Sequence, residues 1–214
     1  MTRPAPPVVC HGFRVLVCSG MAHILDYRRV FVRERVAFVK LTDTYDLMDP
    51  ETKAVIGIAW ENVSGWIKFF RLLISKSLLP TRVDIAVAEQ QPAVLTIKRN
   101  VGFLRKKVTV YDGAGVQLGF FKSKIFSLGG GFLVYSPDGQ QFADVKGDWK
   151  GWNFKFLDLN GQEMGVVTKK WAGLGKELFT SADNYIVEIK EGTSNNALLL
   201  AAAIAIDTVF KEKQ

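Results

Sequence analysis

Short runs of alternating apolar and polar residues fill most of this chain, and turn sequences separate them. From position 83 onward the runs pair as hairpins, and three of the four turns carry Asp before Gly or Asn before Gly. Those dipeptides tolerate the positive φ angles that hairpin turns need. Single strands are also predicted at 30–38, 45–48, 54–59 and 185–189. The hairpins pair 83–87 with 94–97, 108–111 with 116–121, 132–135 with 141–145, and 154–157 with 163–167. The pattern therefore predicts about twelve antiparallel strands.

The C-terminal stretch 195–210 differs from the rest because it contains strong helix formers and neither Gly nor Pro. No residue from Ala197 to Ile206 is polar, so the predicted helix has no face suited to water and must be enclosed on every side. Its apolar run spans roughly 20 Å, against roughly 30 Å for the hydrocarbon of a bilayer. We therefore predict a protein shell around it, with core residues Leu198, Leu199, Leu200, Ile204, Ile206 and Phe210.

Many short antiparallel strands must protect their edges, and closure into a barrel does so completely. A barrel of about twelve strands is wider than its own side chains can fill. The predicted fold is therefore mainly β, a closed antiparallel barrel around the hydrophobic C-terminal helix. A second, short amphipathic helix is predicted within 60–79, around Trp66 and Phe69 and ending before Pro80. It either packs against the barrel or dips into a membrane interface.

Composition adds a basic charge and no sign of catalysis. The chain has 214 residues, a net charge of +7, two cysteines and two histidines. The sequence contains no metal or redox motif among its cysteines and histidines: Cys10, Cys18, His11 and His23. No spacing in the sequence indicates a catalytic nucleophile with its base. We expect no enzyme activity and no cofactor. The charge makes acidic partners plausible, although a basic protein without such a partner is an equal alternative.

The chain divides into a short extension and one domain. Pro4, Pro6 and Pro7 prevent regular strand pairing near the start, and the apolar run 13–18 is short and interrupted by Arg14. We predict that residues 1–20 are a disordered extension and that residues 21–214 form a single barrel domain.

Basic residues cluster on three consecutive predicted strands. The candidates for lipid or anion binding are Lys98, Arg99, Arg105, Lys106, Lys107, Lys122 and Lys124. In a meander Arg105 is expected opposite Lys122 and near Lys98. Like charges on paired strands destabilise each other, so such a cluster is either a well-solvated face or a site that binds an anion.

Two motifs resemble a known family. They are Gly-Asp-Trp-Lys-Gly-Trp-Asn-Phe at 147–154, and Lys-Trp-Ala-Gly at 170–173 followed by Glu-Leu-Phe-Thr-Ser-Ala-Asp-Asn-Tyr at 177–185. Together with the apolar tail ending in Ile206-Asp207, they resemble the phospholipid scramblase and LURP-one-related group of the tubby C-terminal-like superfamily. The resemblance covers about residues 21–212. It implies a closed barrel around a central C-terminal helix.

The resemblance does not extend to a calcium site. The calcium loop of animal scramblases begins Asp-x-Asp, and the corresponding positions here are Ser181 and Asp183. Calcium needs about six or more oxygen ligands, and Tyr185, Val187 and Ile189 provide none from their place in the loop. We therefore expect no metal site, with Asp183 as part of a turn that enters a strand. Asp207 is expected at the barrel mouth.

The resulting functional expectation is a non-enzymatic, scramblase-like or LURP-one-related protein that binds anionic phospholipid head groups or proteins through the barrel exterior. One alternative is a scramblase whose C-terminal helix lies in the membrane. Another is a soluble scaffold without a lipid role. We expect a monomer that binds no nucleic acid. The expected location is the cytoplasm, with peripheral association at the membrane.

Overall fold

Twelve strands and two α-helices form the part of the chain that the structure describes. It is a computed structural model that describes residues 24–35, 42–70, 79–100, 107–124, 131–148, 152–169 and 184–207. The strands are β1 Arg29–Glu34, β2 Thr44–Met48, β3 Val55–Glu61, β4 Thr81–Ala86, β5 Leu95–Arg99, β6 Lys107–Asp112, β7 Gln117–Ser123, β8 Gly131–Tyr135, β9 Gln141–Asp148, β10 Asn153–Leu157, β11 Glu163–Thr168 and β12 Tyr185–Ile189. The helices are α1 Gly65–Phe70 and α2 Asn196–Ala205, and a 3-10 turn spans Ile24–Asp26.

The strands close into one antiparallel barrel. Each strand pairs with its neighbours in the chain, and β1 closes the ring by pairing with β12 from Arg29↔Glu188 to Val32↔Tyr185. Closure leaves no strand edge with unpaired backbone groups in the ring. The predicted fold class and the predicted count of about twelve strands are both confirmed.

Local turn chemistry explains why the strands pair with their neighbours. In the β6–β7 turn the Asp112 carboxylate accepts hydrogen bonds from the backbone N–H groups of Ala114 at 3.0 Å and Val116 at 2.8 Å. Asp158 does the same in the β10–β11 turn. Gly115 and Gly161 have a φ of 81°, which a residue with a side chain rarely adopts. These turns have the sequences from which the hairpins were predicted.

Helix α2 lies inside the barrel. Residues 198–206 are all buried, and Leu198, Leu199, Leu200, Ile204 and Ile206 belong to the core cluster that includes strand residues from around the ring. Phe210, the sixth predicted core residue, lies outside the described residues. Asn195 precedes the helix in the left-handed conformation, with φ 63°, and its side chain makes no capping hydrogen bond. Its carbonyl accepts hydrogen bonds from the N–H groups of Leu198 and Leu199.

The connections between strands alternate between the two ends of the barrel. The turns of the four predicted hairpins lie at the end where α2 begins; we call this the hairpin end. The connections that alternate with them, including α1 between β3 and β4, lie at the opposite end, which we call the loop end. In α1, Ile67 is buried while Trp66 is 62% exposed, so the helix packs against the barrel through one face. The predicted extension 1–20 lies outside the described residues.

Candidate functional site

Three of the predicted basic residues meet on the outer wall near the loop end. Lys98, Lys107 and Lys122 lie on the adjacent strands β5, β6 and β7, and each alternates with residues that point into the core. Lys107 is directly opposite Lys122, and Lys98 is opposite Thr109, two residues from Lys107. Arg105 was expected roughly opposite Lys122; it lies outside the described residues, and Lys107 is the residue that the register places there.

These three lysines lie over aromatic rings of the same wall. The Lys98 ammonium is 4.7 Å from the ring centroid of Tyr111. The ammonium groups of Lys107 and Lys122 are 4.2 Å and 5.2 Å from the centroid of Phe120, and Lys122 is also 4.9 Å from that of Tyr135. Phe120 and Tyr135 stack with centroids 4.9 Å apart. We call this surface the lysine face: Lys98, Lys107, Lys122, Tyr111, Phe120 and Tyr135.

The lysine face carries positive charge that no carboxylate of the described residues compensates. Within the described part of the chain, Lys98, Lys107 and Lys122 make no ion pair. Lys124 differs, because its ammonium is 2.5 Å from the Asp144 carboxylate, which also has Lys146 at 3.8 Å. Cation–π contacts contribute about 0.5–1 kcal/mol each at exposed sites, which offsets part of the repulsion between paired lysines. The remaining repulsion would be relieved by a bound anion.

The other predicted basic residues do not join this surface. Arg99 points into the barrel and is 2% exposed, and its guanidinium donates to the Thr81 hydroxyl at 2.8 Å and the Leu79 carbonyl at 3.0 Å. Because side chains alternate along a strand, Lys98 and Arg99 had to face opposite sides of the wall. Arg105 and Lys106 lie outside the described residues.

A shallow depression of about 260 Å³ adjoins the lysine face, between α1 and strands β4 and β5. Arg82 and Lys98 contribute to its wall, and they are directly opposite each other in the β4–β5 register. The described residues that line it are Asn62, Val63, Ser64, Ile67, Pro80, Thr81, Arg82, Lys98, Arg99 and Asn100. They include three cations and no carboxylate. The depression is thus a basic concavity at the loop end.

A buried carboxylate holds two side chains at this depression. Asp84, whose side chain is 3% exposed, accepts hydrogen bonds from the Arg82 Nε at 2.8 Å and from the Asn62 Nδ2 at 2.7 Å. The Thr96 hydroxyl donates to the same carboxylate at 2.8 Å. Arg82, Asp84 and Asn62 were not among the predicted site residues. The alternation in Thr-Arg-Val-Asp-Ile-Ala was a usable signal, because it places Arg82 and Asp84 on one face of a strand.

A second polar group lies inside the barrel near the end of α2. Asp207 is 2% exposed, which is costly for a carboxylate unless polar groups surround it. Burial raises the pKa of the nearby Tyr45 hydroxyl well above its ordinary value of 10.0, and the charge of Asp207 raises it further. Tyr45 therefore keeps its proton at neutral pH. Both groups lie in the interior of the fold, since Tyr45 and Asp207 are each 2% exposed.

Neither a metal centre nor a spanning helix is found in the ranges that the structure describes. No group of three or more His, Cys, Asp or Glu side chains is placed to hold a metal ion there. Asp183, the residue weighed for calcium, lies outside those ranges. No helix within them is both long and apolar enough to cross a membrane.

Comparisons with known proteins identify a family. A family model described as Scramblase matches residues 44–213. That match includes strands β2 to β12, both helices and all of the basic residues discussed above. No curated protein and no solved structure gives a significant match.

Proposed function

Because the chain belongs to the scramblase family, we propose that it binds anionic phospholipid surfaces as a peripheral, non-enzymatic protein. Membership supports a lipid-related function, and the lysine face supplies a surface for it. The observation that carries the proposal is the direct pairing of Lys107 with Lys122 over one aromatic ring, with no carboxylate bound to either in the described residues. Such a pair of like charges does not stabilise the protein by itself, but it attracts a dense array of negative charge.

The expected strength of this attraction fits reversible binding. A basic residue near an anionic membrane surface contributes about 1 kcal/mol. Three lysines together then raise the affinity on the order of 100-fold, which is a modest affinity that salt will weaken. The aromatic rings below the ammonium groups hold the three lysines close to the outer wall of adjacent strands, so their charges act together on one side of the barrel.

The position of α2 favours this proposal over a membrane-inserted helix. All of its residues from Leu198 to Ala205 are buried among the strands. Inserting α2 into a bilayer would expose the apolar interior of the barrel to water. A peripheral protein bound at the cytoplasmic membrane surface keeps the barrel intact.

Vesicle flotation tests the proposal. The double variant Lys107→Glu/Lys122→Glu should lose at least about tenfold in binding to vesicles of phosphatidylcholine with phosphatidylserine, since two attractive charges become repulsive. The control Lys53→Glu/Lys155→Glu changes the net charge equally at positions away from the lysine face and should float like the wild type. Equal binding by the two double variants would exclude the lysine face as the lipid-binding surface.

A further inference from the structure

We propose that the depression between α1 and strands β4 and β5 is a specific site for a phosphate ester that carries a hydroxyl group. In this site Arg82 and Lys98 bind the phosphate, and the side-chain carbonyl of Asn62 accepts a hydrogen bond from the hydroxyl. The site is separate from the Lys107–Lys122 pair and shares only Lys98 with the lysine face. It differs from a general anionic surface because it selects a ligand by geometry.

The Arg82 guanidinium is held in an orientation suited to phosphate. Its Nε donates to Asp84 Oδ1 at 2.8 Å, and the carboxylate is itself fixed by the Thr96 hydroxyl at 2.8 Å. Because Nε is occupied, the edge formed by Nη1 and Nη2 remains to face a ligand. A guanidinium edge binds two phosphate oxygens with parallel hydrogen bonds, and an arginine already held in place loses less entropy on binding.

Asn62 is fixed at two points beside this guanidinium. Its backbone N–H donates to the Arg82 carbonyl at 2.7 Å, and its side-chain Nδ2 donates to Asp84 Oδ2 at 2.7 Å. A carboxylate can only accept hydrogen bonds, so the amide must turn its nitrogen toward Asp84 and its oxygen away. The oxygen cannot donate to phosphate. It is instead suited to the hydroxyl of an ester such as a glycerol phosphate.

Charge and size agree with a ligand of this class. Lys98 is directly opposite Arg82 and makes no ion pair among the described residues, whereas the charge of Arg82 is shared with the buried Asp84; no carboxylate lines the depression itself in those residues. At about 260 Å³ the space fits a head group and is too small for an acyl chain as well.

The surroundings favour a lipid as the source of the ester. Helix α1 borders the depression through Ile67, and the neighbouring Trp66 is 62% exposed. An exposed tryptophan beside a cationic concavity matches the interface of a membrane, where indole rings lie at head-group level. A lipid such as phosphatidylglycerol would place its phosphate and glycerol hydroxyls in the depression while its chains stay in the bilayer.

NMR titration of the full chain with glycerol phosphate and with inorganic phosphate tests the site. Glycerol phosphate should shift the amide signals of Asn62, Arg82 and Lys98. Arg82→Lys keeps the charge and loses the two-pronged contact, so its affinity should fall about tenfold. Asn62→Ala should remove the preference for glycerol phosphate over inorganic phosphate. Unchanged affinity in Arg82→Lys, together with unchanged preference in Asn62→Ala, would overturn the proposal; thermal melts confirm that both variants are folded.

Vesicles identify the source of the ester and separate this proposal from the preceding one. Stronger binding to phosphatidylglycerol than to phosphatidylserine at equal surface charge supports a lipid ligand; equal binding, with glycerol phosphate still bound, supports the site with a free ester as its ligand. The Lys107→Glu/Lys122→Glu variant should still bind glycerol phosphate, whereas its binding to vesicles should be lost. Each proposal can therefore fail without the other.

Discussion

Asp46, on the outer wall, is a residue whose ionisation makes the stability of the fold depend on pH. The carboxylate of Asp46 is 2.8 Å from the Arg33 guanidinium and 2.6 Å from that of Arg35, and its side chain is 6% exposed. Burial alone would raise the pKa of Asp46, but the hydrogen bonds and charges of the two arginines outweigh it. The pKa is thereby lowered below its ordinary value of 3.8. The ionised carboxylate is thus more favourable in the folded state than in the unfolded one.

We predict that Asp46→Asn destabilises the protein at neutral pH, by about 1–3 kcal/mol, and has little effect in acid. A lowered folded-state pKa contributes stability above the unfolded value of about 3.9, and this is lost as pH falls through the folded pKa. Urea unfolding of wild type and variant, at neutral pH and at acid pH below the lowered folded-state pKa of Asp46, measures the difference. Glu191→Gln, at an exposed turn, is the control and should change little at either pH. A constant difference across this range would contradict the assignment.

At the scale of residues, the sequence identified basic residues of the site but not the side chains with which they form ion pairs or hydrogen bonds. The basic residues of β5 and β7 were selected from composition and strand position. Whether Lys124 is neutralised by Asp144 depends on a strand that lies 20 residues further along the chain. Asp84 likewise acts through Asn62, which lies beyond the end of a different strand. Such partners follow from three-dimensional proximity, and local patterns do not contain it.

At the scale of elements, the close approach of β7 to both strand β8 and helix α2 explains why this strand contains a glycine. A Cβ added to Gly119 would be 2.9 Å from Leu198 Cδ2, and its contact with the Tyr135 carbonyl oxygen would be closer still. The helix side chain therefore reaches the backbone of the wall at this point. A larger residue would have to move either the helix or strand β8.

We predict that Gly119→Ala destabilises the fold by about 1–3 kcal/mol, the usual cost of overpacking a close-packed core. Urea unfolding gives the value. Gly65→Ala is the matched control, because nothing lies within 4 Å of its added Cβ and alanine favours the helix α1. A loss of stability in the control equal to that of Gly119→Ala would show that the close contacts of Gly119 with β8 and α2 are not the cause.

Elements with a strong local signal were predicted well, and those that depend on the assembled barrel were not. The hairpins of β6–β7, β8–β9 and β10–β11 follow from alternation and from turn residues, so their prediction needed only neighbouring positions. The 3-10 turn Ile24–Asp26 was not predicted. Its Ile24 is completely buried, and Gly57 lies so close to it that an added Cβ would overlap the isoleucine side chain. That contact exists only once β3 has its place in the ring.

At the scale of the whole molecule, helix α2 fills the interior of the barrel. Its buried leucines and isoleucines each contribute about 1.5–3 kcal/mol of hydrophobic stabilisation. Their sum is comparable with the entire stability of a typical domain, which is about 5–15 kcal/mol. The helix is therefore expected to be required for a folded barrel.

We predict that a chain ending at Asn195 loses cooperative unfolding and binds a hydrophobic dye, because the barrel interior has no filling. The full-length chain, which keeps α2 and the predicted core residue Phe210, is the control; it should unfold cooperatively. Circular dichroism melts and dye fluorescence measure both. A cooperative transition in the shorter chain would show that the strands can pack without the helix.

The sequence by itself determined the strands, their turns, the apolar helix and hence a closed barrel filled by that helix. Each of these follows from local periodicity and from the need to cover strand edges and apolar surface. The tertiary structure alone decided which cations face water, which carboxylates neutralise them and where Arg82, Asn62 and Lys98 meet. The physical reason is that alternation assigns a residue to a face, whereas register and closure assign its neighbours across the wall. The proposed function depends on those neighbours.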